Sequence, residues 1–542
     1  MAVNIPDICG RGYFPQEIPP AFSSIKFASY AATIPAPAVT PPRTEGVNFN
    51  LARAGGLRRR LTIPNPQAFL SLTSVIVANW SAMNGVYQRS PVPSSYPDGR
   101  SRTRNRALPP TLWFPKRAVM RARLRSRARF VLAGDLSQCY SSIYTHSFAW
   151  ALAGKVAAKA GALSHTTVPG DDLDKASCRL QLGQTKGIPV GPDTSLALAE
   201  LILCSIDIEF GKRLATRIRN GRLSALRISD DFEYFASSRG EAEDALLCWE
   251  TAAAYFELQI NPLKTEILEL PQTLQELWPT TLTQFHFRTT TPKTLISDLY
   301  AFFSLAHGLA AQHRTAPIIK YAIRRVIGIR QVFSDRDVWK TFLELLLPSI
   351  IAEPSALDVA TSAIIMADSL GLPVDSDGIA GTLSEIVLHH APLEHGAEVA
   401  WALYVIARLG LPLEAEPAKK VATMEDNVAL VLLHCLLSKG LVQHGAPADL
   451  SLSIVRAEAP EAVHTSDWLL AYELAFRRWA NDAEVRAVPW FRAMLDASVN
   501  FFTCPPGGVS APPPGLDSDE DEEEDAFEPD DLDWELWERS SL

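Results

Sequence analysis

The pattern of apolar and polar positions changes along the chain, from mixed runs in the first half to helical periods in the second. One apolar-periodic stretch predicts a helix from Phe69 to Trp80, and another predicts a helix of about 25 residues that ends at Gly221. A third stretch, Glu241 to Phe256, carries an apolar stripe at helical spacing and predicts an amphipathic helix.

Short strand-like runs lead to three positions with candidate functional side chains. The apolar run before Asp135 predicts a buried strand with this residue at its end. Two β-rich runs flank Asp230 and Asp231 and predict a hairpin with both carboxylates at its tip, where adjacent side chains can converge. A strand–turn–strand pattern places Lys264 at the next turn. Taken singly, Asp135 is as typical of a helix cap as of a metal ligand, and the other three are typical of solvated turns.

Helical periods dominate from about residue 294 to residue 500, and short glycine-containing breaks interrupt them. The breaks 370–373 and 409–412 both read Leu-Gly-Leu-Pro and begin 39 residues apart, and the break at 439–441 follows after 30. This spacing resembles a helical-hairpin solenoid of the HEAT kind.

The composition is typical of a globular protein: 542 residues, 47% hydrophobic and 21% charged, enough for about three domains. No apolar run approaches the roughly 18 residues of a membrane helix, and no signal peptide is visible, so we expect a cytoplasmic protein that contacts no membrane. Seven scattered cysteines without a C-x-x-C motif favour a reducing cytoplasm over structural zinc. We expect His389, His390 and His395 to be structural.

Charge is strongly polarised along the chain. The formal net charge is −10, but residues 517–542 alone hold fourteen acids and one base. The block 100–129 holds eleven bases and no acid, with aromatic residues interleaved, and predicts polyanion binding, with a solvated basic face as the alternative. The acidic tail is either a solvated, disordered segment or a nucleic-acid mimic that folds back on this block.

A glycine-rich loop precedes the helix that ends at Gly221. Three glycines and two prolines occur between Gly183 and Pro192, and Asp193, Thr194 or Ser195 could cap the helix. A glycine-rich loop that enters a helix N-terminus can cradle phosphates, and loop geometry alone is the alternative explanation.

Taken together, these motifs resemble the palm of the reverse transcriptases, from about residue 61 to residue 270. The order is Asp135 at a strand end, an aromatic five residues later, a Gln-x-x-Gly-x-Pro loop, the Asp-Asp hairpin and the lysine turn. The phrases Ile63–Pro66 and Ser142–Ala151, with the all-helical second half, resemble bacterial defence-associated reverse transcriptases of the abortive-infection (Abi) type.

This resemblance implies an α+β fold in which right-hand polymerase fingers and palm precede an all-α, HEAT-like repeat domain in place of a thumb. It divides the chain into a proline-rich N-terminal arm, a basic fingers region, a palm with the catalytic motifs, a helical repeat domain and a disordered acidic tail. The corresponding residues are 1–45, 46–130, 131–290, 291–504 and 505–542.

The resemblance also implies a catalytic role for four residues. Asp135 and Asp230 would hold both metal ions, Mg²⁺ or Mn²⁺, and Asp231 would be the third carboxylate. Two such ions activate the attacking 3′ hydroxyl and neutralise charge on the leaving pyrophosphate. Lys264 would protonate that pyrophosphate.

Five further residues match substrate-binding positions. Tyr140 would pack under the incoming sugar and exclude a 2′ hydroxyl, which predicts deoxynucleoside triphosphates as substrates. Gln184 and Gly187 would line the nucleotide and the templating base. Arg127 and Arg129, from the basic block, would grip the triphosphate or the strand.

The implied function is that of a DNA polymerase in antiphage defence, which adds deoxynucleotides by two-metal transfer without a template and from a protein primer. Homo-oligomers and a single-stranded DNA product are expected. The hairpin has Ile228 in place of the usual tyrosine, which puts ordinary primer extension in doubt, and no ribonuclease H domain is apparent. The alternatives are an RNA-templated enzyme with a bound noncoding RNA, as in retrons, and a non-enzymatic nucleic-acid scaffold. The intact aspartates and Lys264 argue against the scaffold.

Overall fold

The computed structural model describes residues 3–34, 41–100, 106–112, 114–217, 223–443 and 449–506. Nearly all of the predicted acidic tail, including residues 517–542, lies outside these ranges, as do parts of the proline-rich arm and of the basic block. The two hypotheses on the tail therefore stay predictions.

The architecture is α+β, with long helical stretches and two small antiparallel sheets. The strands are Val47–Ala52 (β1), Arg58–Ile63 (β2), Phe130–Asp135 (β3), Ala225–Ile228 (β4), Asp231–Ala236 (β5) and Glu266–Glu269 (β6). The α-helices are Ile5–Arg11 (α1), Ile25–Ala31 (α2), Pro66–Tyr87 (α3), Phe114–Leu124 (α4), Cys139–Ser142 (α5), Ser147–Ala153 (α6), Lys155–Ser164 (α7), Asp171–Arg179 (α8), Asp193–Arg217 (α9), Arg239–Tyr255 (α10), Leu277–Thr283 (α11), Pro292–Gln312 (α12), Ile318–Ile327 (α13), Arg336–Ala352 (α14), Leu357–Ser369 (α15), Ser376–His390 (α16), Gly396–Leu409 (α17), Ala415–Ala422 (α18), Asn427–Ser438 (α19), Ser451–Ala457 (α20), Trp468–Arg477 (α21), Ala483–Ala487 (α22) and Pro489–Asp496 (α23).

The larger sheet has the order β4–β5–β3–β6 and is antiparallel throughout. Helix α10 packs on β3 and β5, and the Trp249 ring stacks on Phe232 with centroids 4.8 Å apart. This close approach requires a glycine in β3, because a Cβ atom at Gly134 would lie 2.6 Å from the Trp249 ring. The predicted strand before Asp135 and the predicted Asp-Asp hairpin are both confirmed.

The smaller sheet is the β1–β2 hairpin, and it leads directly into α3. Asn65 caps α3 by accepting hydrogen bonds from the Gln67 and Ala68 amides, and Pro66 occupies the first helical position, where its missing N–H costs nothing. The predicted helices near Phe69, Asp193 and Glu241 are confirmed as α3, α9 and α10.

In the helical half, alternate helices pack on one another: α12 on α14, α15 on α17, α17 on α19 and α19 on α21. The three predicted breaks fall just after α15, α17 and α19. Gly371, Gly410 and Gly440 each adopt a φ between 67° and 69° there, which a residue with a Cβ atom adopts only with strain. The HEAT-like repeat itself stays a prediction.

The N-terminal arm is folded: it contains α1 and α2 and packs against the C-terminal part of the described chain. Its aromatic residues drive this, because Tyr13, Phe22 and Phe27 are buried in the main apolar core. Phe22 pairs with Phe502, and the Ser23 amide donates to the Phe501 carbonyl at 2.8 Å. The two ends of the described chain therefore close on each other.

Two helices, α3 and α12, are long and apolar enough to cross a membrane by length and composition alone. Helix α3 packs on α8 and α9, and α12 packs on α13 and α14. Core helices pass the same test, so this is weak evidence for a membrane span. Cys435 and Cys504 are joined by a disulfide, although the scattered cysteines of the sequence favour a reducing cytoplasm.

Candidate active site

Three aspartates meet at one end of the larger sheet. Asp135 ends β3 and lies opposite Asp231, the first residue of β5, in the antiparallel register. Asp230 occupies the two-residue turn between β4 and β5, together with Ser229, whose φ is 51°. The sheet therefore brings the three sequence-predicted carboxylates to neighbouring positions.

Asp135 is buried, and the turn that precedes β6 holds it with three hydrogen bonds. The Lys264 Nζ atom donates to Asp135 Oδ2 at 2.9 Å, and Asn261 Nδ2 donates to Oδ1 at 3.2 Å. The Asn261 amide also donates to the Asp135 carbonyl at 2.7 Å. Lys264 thus lies at the turn that the sequence predicts, and Asn261 is a further positioning residue without a signal of its own in the sequence.

The Asp231 carboxylate contacts an arginine of α4. Arg117 Nη1 lies 3.3 Å from Asp231 Oδ2, and Arg117 Nη2 lies 2.8 Å from Glu233 Oε1. Arg121 also binds Glu233 through two nitrogens. Glu233 is two residues beyond Asp231 on the same strand face, so it anchors the arginines beside the aspartate.

Burial and neighbouring carboxylates raise the pKa of Asp230 and of Asp231. Burial and the charges of Asp231 and Asp135 raise the pKa of Asp230 to about 6. Burial lowers the pKa of Lys264, but the hydrogen bond from its ammonium to Asp135 and the three nearby carboxylates raise it more, so its pKa lies above the ordinary value. Lys264 is therefore protonated at neutral pH and is able to donate a proton.

A buried network behind the sheet fixes the Ser229–Asp230 turn. Arg227 on β4 donates to Glu200 at 2.9 Å, to Asp207 at 2.9 Å and to the Ser229 carbonyl at 2.8 Å. The Ser229 amide donates to Ser95 Oγ at 2.7 Å, and Ser95 donates to Glu200 at 2.9 Å. We name Glu200, Asp207 and Arg227 the buried triad.

Tyr140 lies beside the glycine-rich loop. Its carbonyl accepts from the Ile188 amide at 2.9 Å, and the Gly187 amide donates to the Ile143 carbonyl at 2.7 Å. Gly187 has a φ of 87°, and a Cβ atom there would lie 3.2 Å from the Ser141 carbonyl oxygen. Gln184 is exposed on the same loop. Burial raises the pKa of Tyr140, and the charges of Cys139, Glu200 and Asp230 contribute to this rise.

Two of the predicted arginines are not brought to this site. Arg127 and Arg129 precede β3, while Asp135 ends it, and six residues of strand span about 20 Å. Both side chains are exposed at the far end of the sheet. Within the described part of the basic block, Arg117 reaches Asp231, because α4 packs on β4, next to the strand β5 that carries both Asp231 and Glu233.

Two arginines of the β1–β2 hairpin lie close enough to Asp230 to be affected by its charge. Burial lowers the pKa of Arg59, and the charges of Glu17, Tyr140 and Asp230 oppose this effect. Burial and the charge of Arg59 lower the pKa of Arg53, and the charge of Asp230 opposes them. The sequence carries a signal for them in the cationic run around Arg58, but it does not show which members of the run point toward the site.

The donor chemistry of the aspartates fits a hard divalent cation, because carboxylate oxygens are the ligands that Mg²⁺ and Mn²⁺ prefer. Lys264 and Arg117 bind two of the three carboxylates. Within the described ranges, the carboxylate oxygens of the three aspartates do not form a group in which all ligand atoms lie within 4.8 Å of one another. A cation bound here would compete with those two side chains for Asp135 and Asp231.

Comparison with known proteins gives distant structural likenesses and no match at the level of sequence families. No protein-family model matches the sequence, and no curated protein matches it. Among solved structures, apo telomerase from Candida tropicalis is similar over 70% of this chain and 71% of that chain, at 12% identity and a TM-score of 0.31. A likeness at this level assigns neither a fold nor an activity to the chain.

Proposed function

We propose that the chain is a nucleotidyl transferase of the reverse transcriptase class, which joins deoxynucleotides to a hydroxyl group. The observation that carries the proposal is the meeting of Asp135, Asp230 and Asp231 at neighbouring strand ends, with Lys264 bonded to one of them. A binding scaffold has no need for three adjacent carboxylates at neighbouring strand ends.

Each residue has a task in this reaction. Asp135, Asp230 and Asp231 would hold the Mg²⁺ or Mn²⁺ ions, which polarise the attacking hydroxyl and stabilise charge on the phosphates when bound. Lys264 holds a proton next to the site and can donate it to the leaving pyrophosphate. Arg117, beside Asp231, supplies positive charge where phosphate oxygens would gather.

The finer proposal is template-independent, protein-primed synthesis in antiphage defence by a homo-oligomer, and it rests on the sequence resemblance. One structural observation supports the departure from ordinary primer extension. Ile228 stands where the usual hairpin has tyrosine, and its side chain is buried in an apolar cluster with Leu226 and Phe235. No phenol is presented at that position to support a primer strand.

The experiment incubates purified full-length protein with Mg²⁺ or Mn²⁺ and each labelled deoxynucleotide, without added nucleic acid. Products run on a denaturing gel before and after protease and RNase treatment. Label that stays with the protein until protease acts supports protein-primed synthesis. Label that requires added RNA, or is lost after RNase pretreatment, supports the RNA-templated alternative with a bound noncoding RNA.

Two variants make this assay specific. Asp231→Asn keeps the side-chain shape but removes a charge at the site, and we expect it to abolish incorporation. Asp377→Asn changes an exposed aspartate on α16 and should leave incorporation unchanged. Equal incorporation by both variants would reject the proposed active site.

Sugar selection tests Tyr140 separately. Tyr140→Val removes the ring and should raise ribonucleotide use relative to deoxynucleotide use by about 10-fold or more, because the excluded 2′ hydroxyl then has space. Tyr140→Phe keeps the ring and serves as the control. The comparison is the ratio of incorporation with competing labelled nucleotides, and an unchanged ratio in Tyr140→Val would remove this residue from the site.

A further inference from the structure

Two histidines and a glutamate form a cluster where the helical half meets the β1–β2 hairpin. His390 ends α16, His395 precedes α17, and Glu398 lies in the first turn of α17. The Nδ1 atoms of the two histidines are 2.9 Å apart, and Glu398 Oε1 lies 3.5 Å from the first and 3.7 Å from the second. Of the residues that the structure describes, these alone form a group of three potential ligands within 4.8 Å of one another.

The spacing of the three atoms suits a tetrahedral metal ion. Zinc binds imidazole nitrogen and carboxylate oxygen at about 2.0–2.1 Å, which separates neighbouring ligands of a tetrahedron by about 3.3 Å. The three observed separations bracket that value, so small shifts would bring all three atoms to bonding distance of one ion. Two nitrogens and one oxygen favour zinc or a similar transition metal over magnesium, which prefers oxygen ligands.

The protonation and exposure of the cluster fit the same role. An imidazole with its ordinary pKa of about 6.5 is mostly neutral at pH 7, so each ring can offer a lone pair to a metal ion. The side chain of Glu398 is 1% exposed and that of His390 is 12% exposed, whereas that of His395 is 23% exposed. Solvent therefore reaches the cluster from one side, where water can supply a fourth ligand.

A second layer of contacts orients the glutamate. Arg58 Nη2 lies 2.9 Å from Glu398 Oε2, and Arg58 Nη1 contacts Oε1. Arg58 Nε donates to Asn50 Oδ1 at 3.0 Å, and Asn50 Nδ2 donates to the Glu394 carbonyl at 3.1 Å. An ion at Oε1 displaces only the Nη1 contact, and the Oε2 contact remains to orient the carboxylate.

We propose that His390, His395 and Glu398 form a binding site for a divalent transition-metal ion, best suited to zinc, with water as the fourth ligand. The ion joins the end of α16 to the start of α17, while Arg58 of the β1–β2 hairpin stays bound to Glu398 Oε2. This site is separate from the aspartates and does not depend on the proposed polymerase activity.

Zinc content tests the proposal directly. Full-length protein is stripped with a chelator, incubated with Zn²⁺ in excess Mg²⁺ to occupy oxygen-rich sites, desalted and measured by plasma mass spectrometry. The wild type should retain about one zinc per chain, and bound zinc should raise its melting temperature. Co²⁺ in place of zinc should give the visible absorption of a tetrahedral complex with nitrogen and oxygen ligands.

Matched variants locate the ion. His395→Gln should lose the bound zinc and the zinc-dependent rise in melting temperature, and Glu398→Gln, which keeps its shape and an acceptor for Arg58, should do the same. His389→Gln changes the adjacent, exposed histidine and should retain zinc like the wild type. Absence of zinc from the wild type, or equal zinc in His395→Gln and His389→Gln, would overturn the proposal and leave a hydrogen-bonded histidine pair.

Discussion

Two groups of carboxylates lie on either side of the Ser229–Asp230 turn, and they differ in how completely cationic side chains of the protein neutralise their charge. In the buried triad, Glu200 and Asp207 both bind Arg227, and all three side chains are at most 1% exposed. At the aspartate site, Lys264 and Arg117 bind Asp135 and Asp231, whereas Asp230 has no ion pair among the described residues. The side chain of Asp231 is 42% exposed.

The difference separates a structural network from a candidate catalytic one. A buried carboxylate destabilises the fold unless it pairs with a cation, and in the buried triad Arg227 is that cation for both carboxylates. At the aspartate site, Asp230 lacks an ion pair among the described residues and Asp231 is open to solvent, so the site can gain an external cation. Arg227 connects the two groups, because it also binds the carbonyl of Ser229 in the turn.

The largest expected effect on stability comes from a substitution in the buried triad. Arg227→Met leaves two buried carboxylates without their cation and should lower the free energy of unfolding by about 3–5 kcal/mol, measured by urea denaturation. The control is Arg217→Met, which removes an ion pair with Asp244 in which both side chains are nearly half exposed, and should cost less than about 1 kcal/mol. Equal costs in the two variants would contradict the comparison.

A smaller effect, on activity alone, is expected at the aspartate site. Lys264→Met removes the proton donor beside Asp135 and should slow nucleotide incorporation about 100-fold, with little change in urea denaturation because the side chain is mostly exposed. Lys264→Arg keeps the positive charge but is a far weaker acid, so it should restore binding of the nucleotide more than the rate. A large loss of stability in Lys264→Met would instead indicate a structural role.

The smallest expected effect is a pH-dependent change in melting temperature. The pKa of Asp230 is raised to about 6 in the folded protein from 3.8, so its ionisation opposes folding above pH 6 and this cost disappears as the pH falls toward 4. In chelator, Asp230→Asn should therefore melt roughly 1–3 °C above the wild type at pH 7.5, and the gap should close near pH 4. A gap that is constant with pH would contradict the raised pKa.

Local patterns in the sequence were sufficient to predict the aspartates and Lys264. Asp230 and Asp231 form a two-strand hairpin whose signal lies within twelve residues, and Asp135 ends a plainly apolar run. The buried triad could not be predicted in this way, because its members come from α9 and β4 and meet only after tertiary packing. The one signal is the presence of Glu200, Asp207 and Arg227 in otherwise apolar segments.

The arginine block shows the same limit. Its density predicts a cationic surface, but the choice among ten arginines depends on which face of α4 meets the sheet. Arg117 reaches Asp231 because Glu233 holds it there, whereas Arg127 and Arg129 lie beyond the start of β3. The sequence shows His390 and His395 close together, but only the fold adds Glu398 to them.

The most direct test of the account is the rate of pyrophosphate release from deoxynucleoside triphosphates in Mg²⁺ or Mn²⁺, for the wild type and Asp230→Asn. Removing one carboxylate charge from the site should lower the rate by about 1,000-fold, equivalent to about 4 kcal/mol, while urea denaturation shows a fold at least as stable as the wild type. Release by a stable Asp230→Asn protein at close to the wild-type rate would contradict the claim that the three aspartates form the catalytic centre.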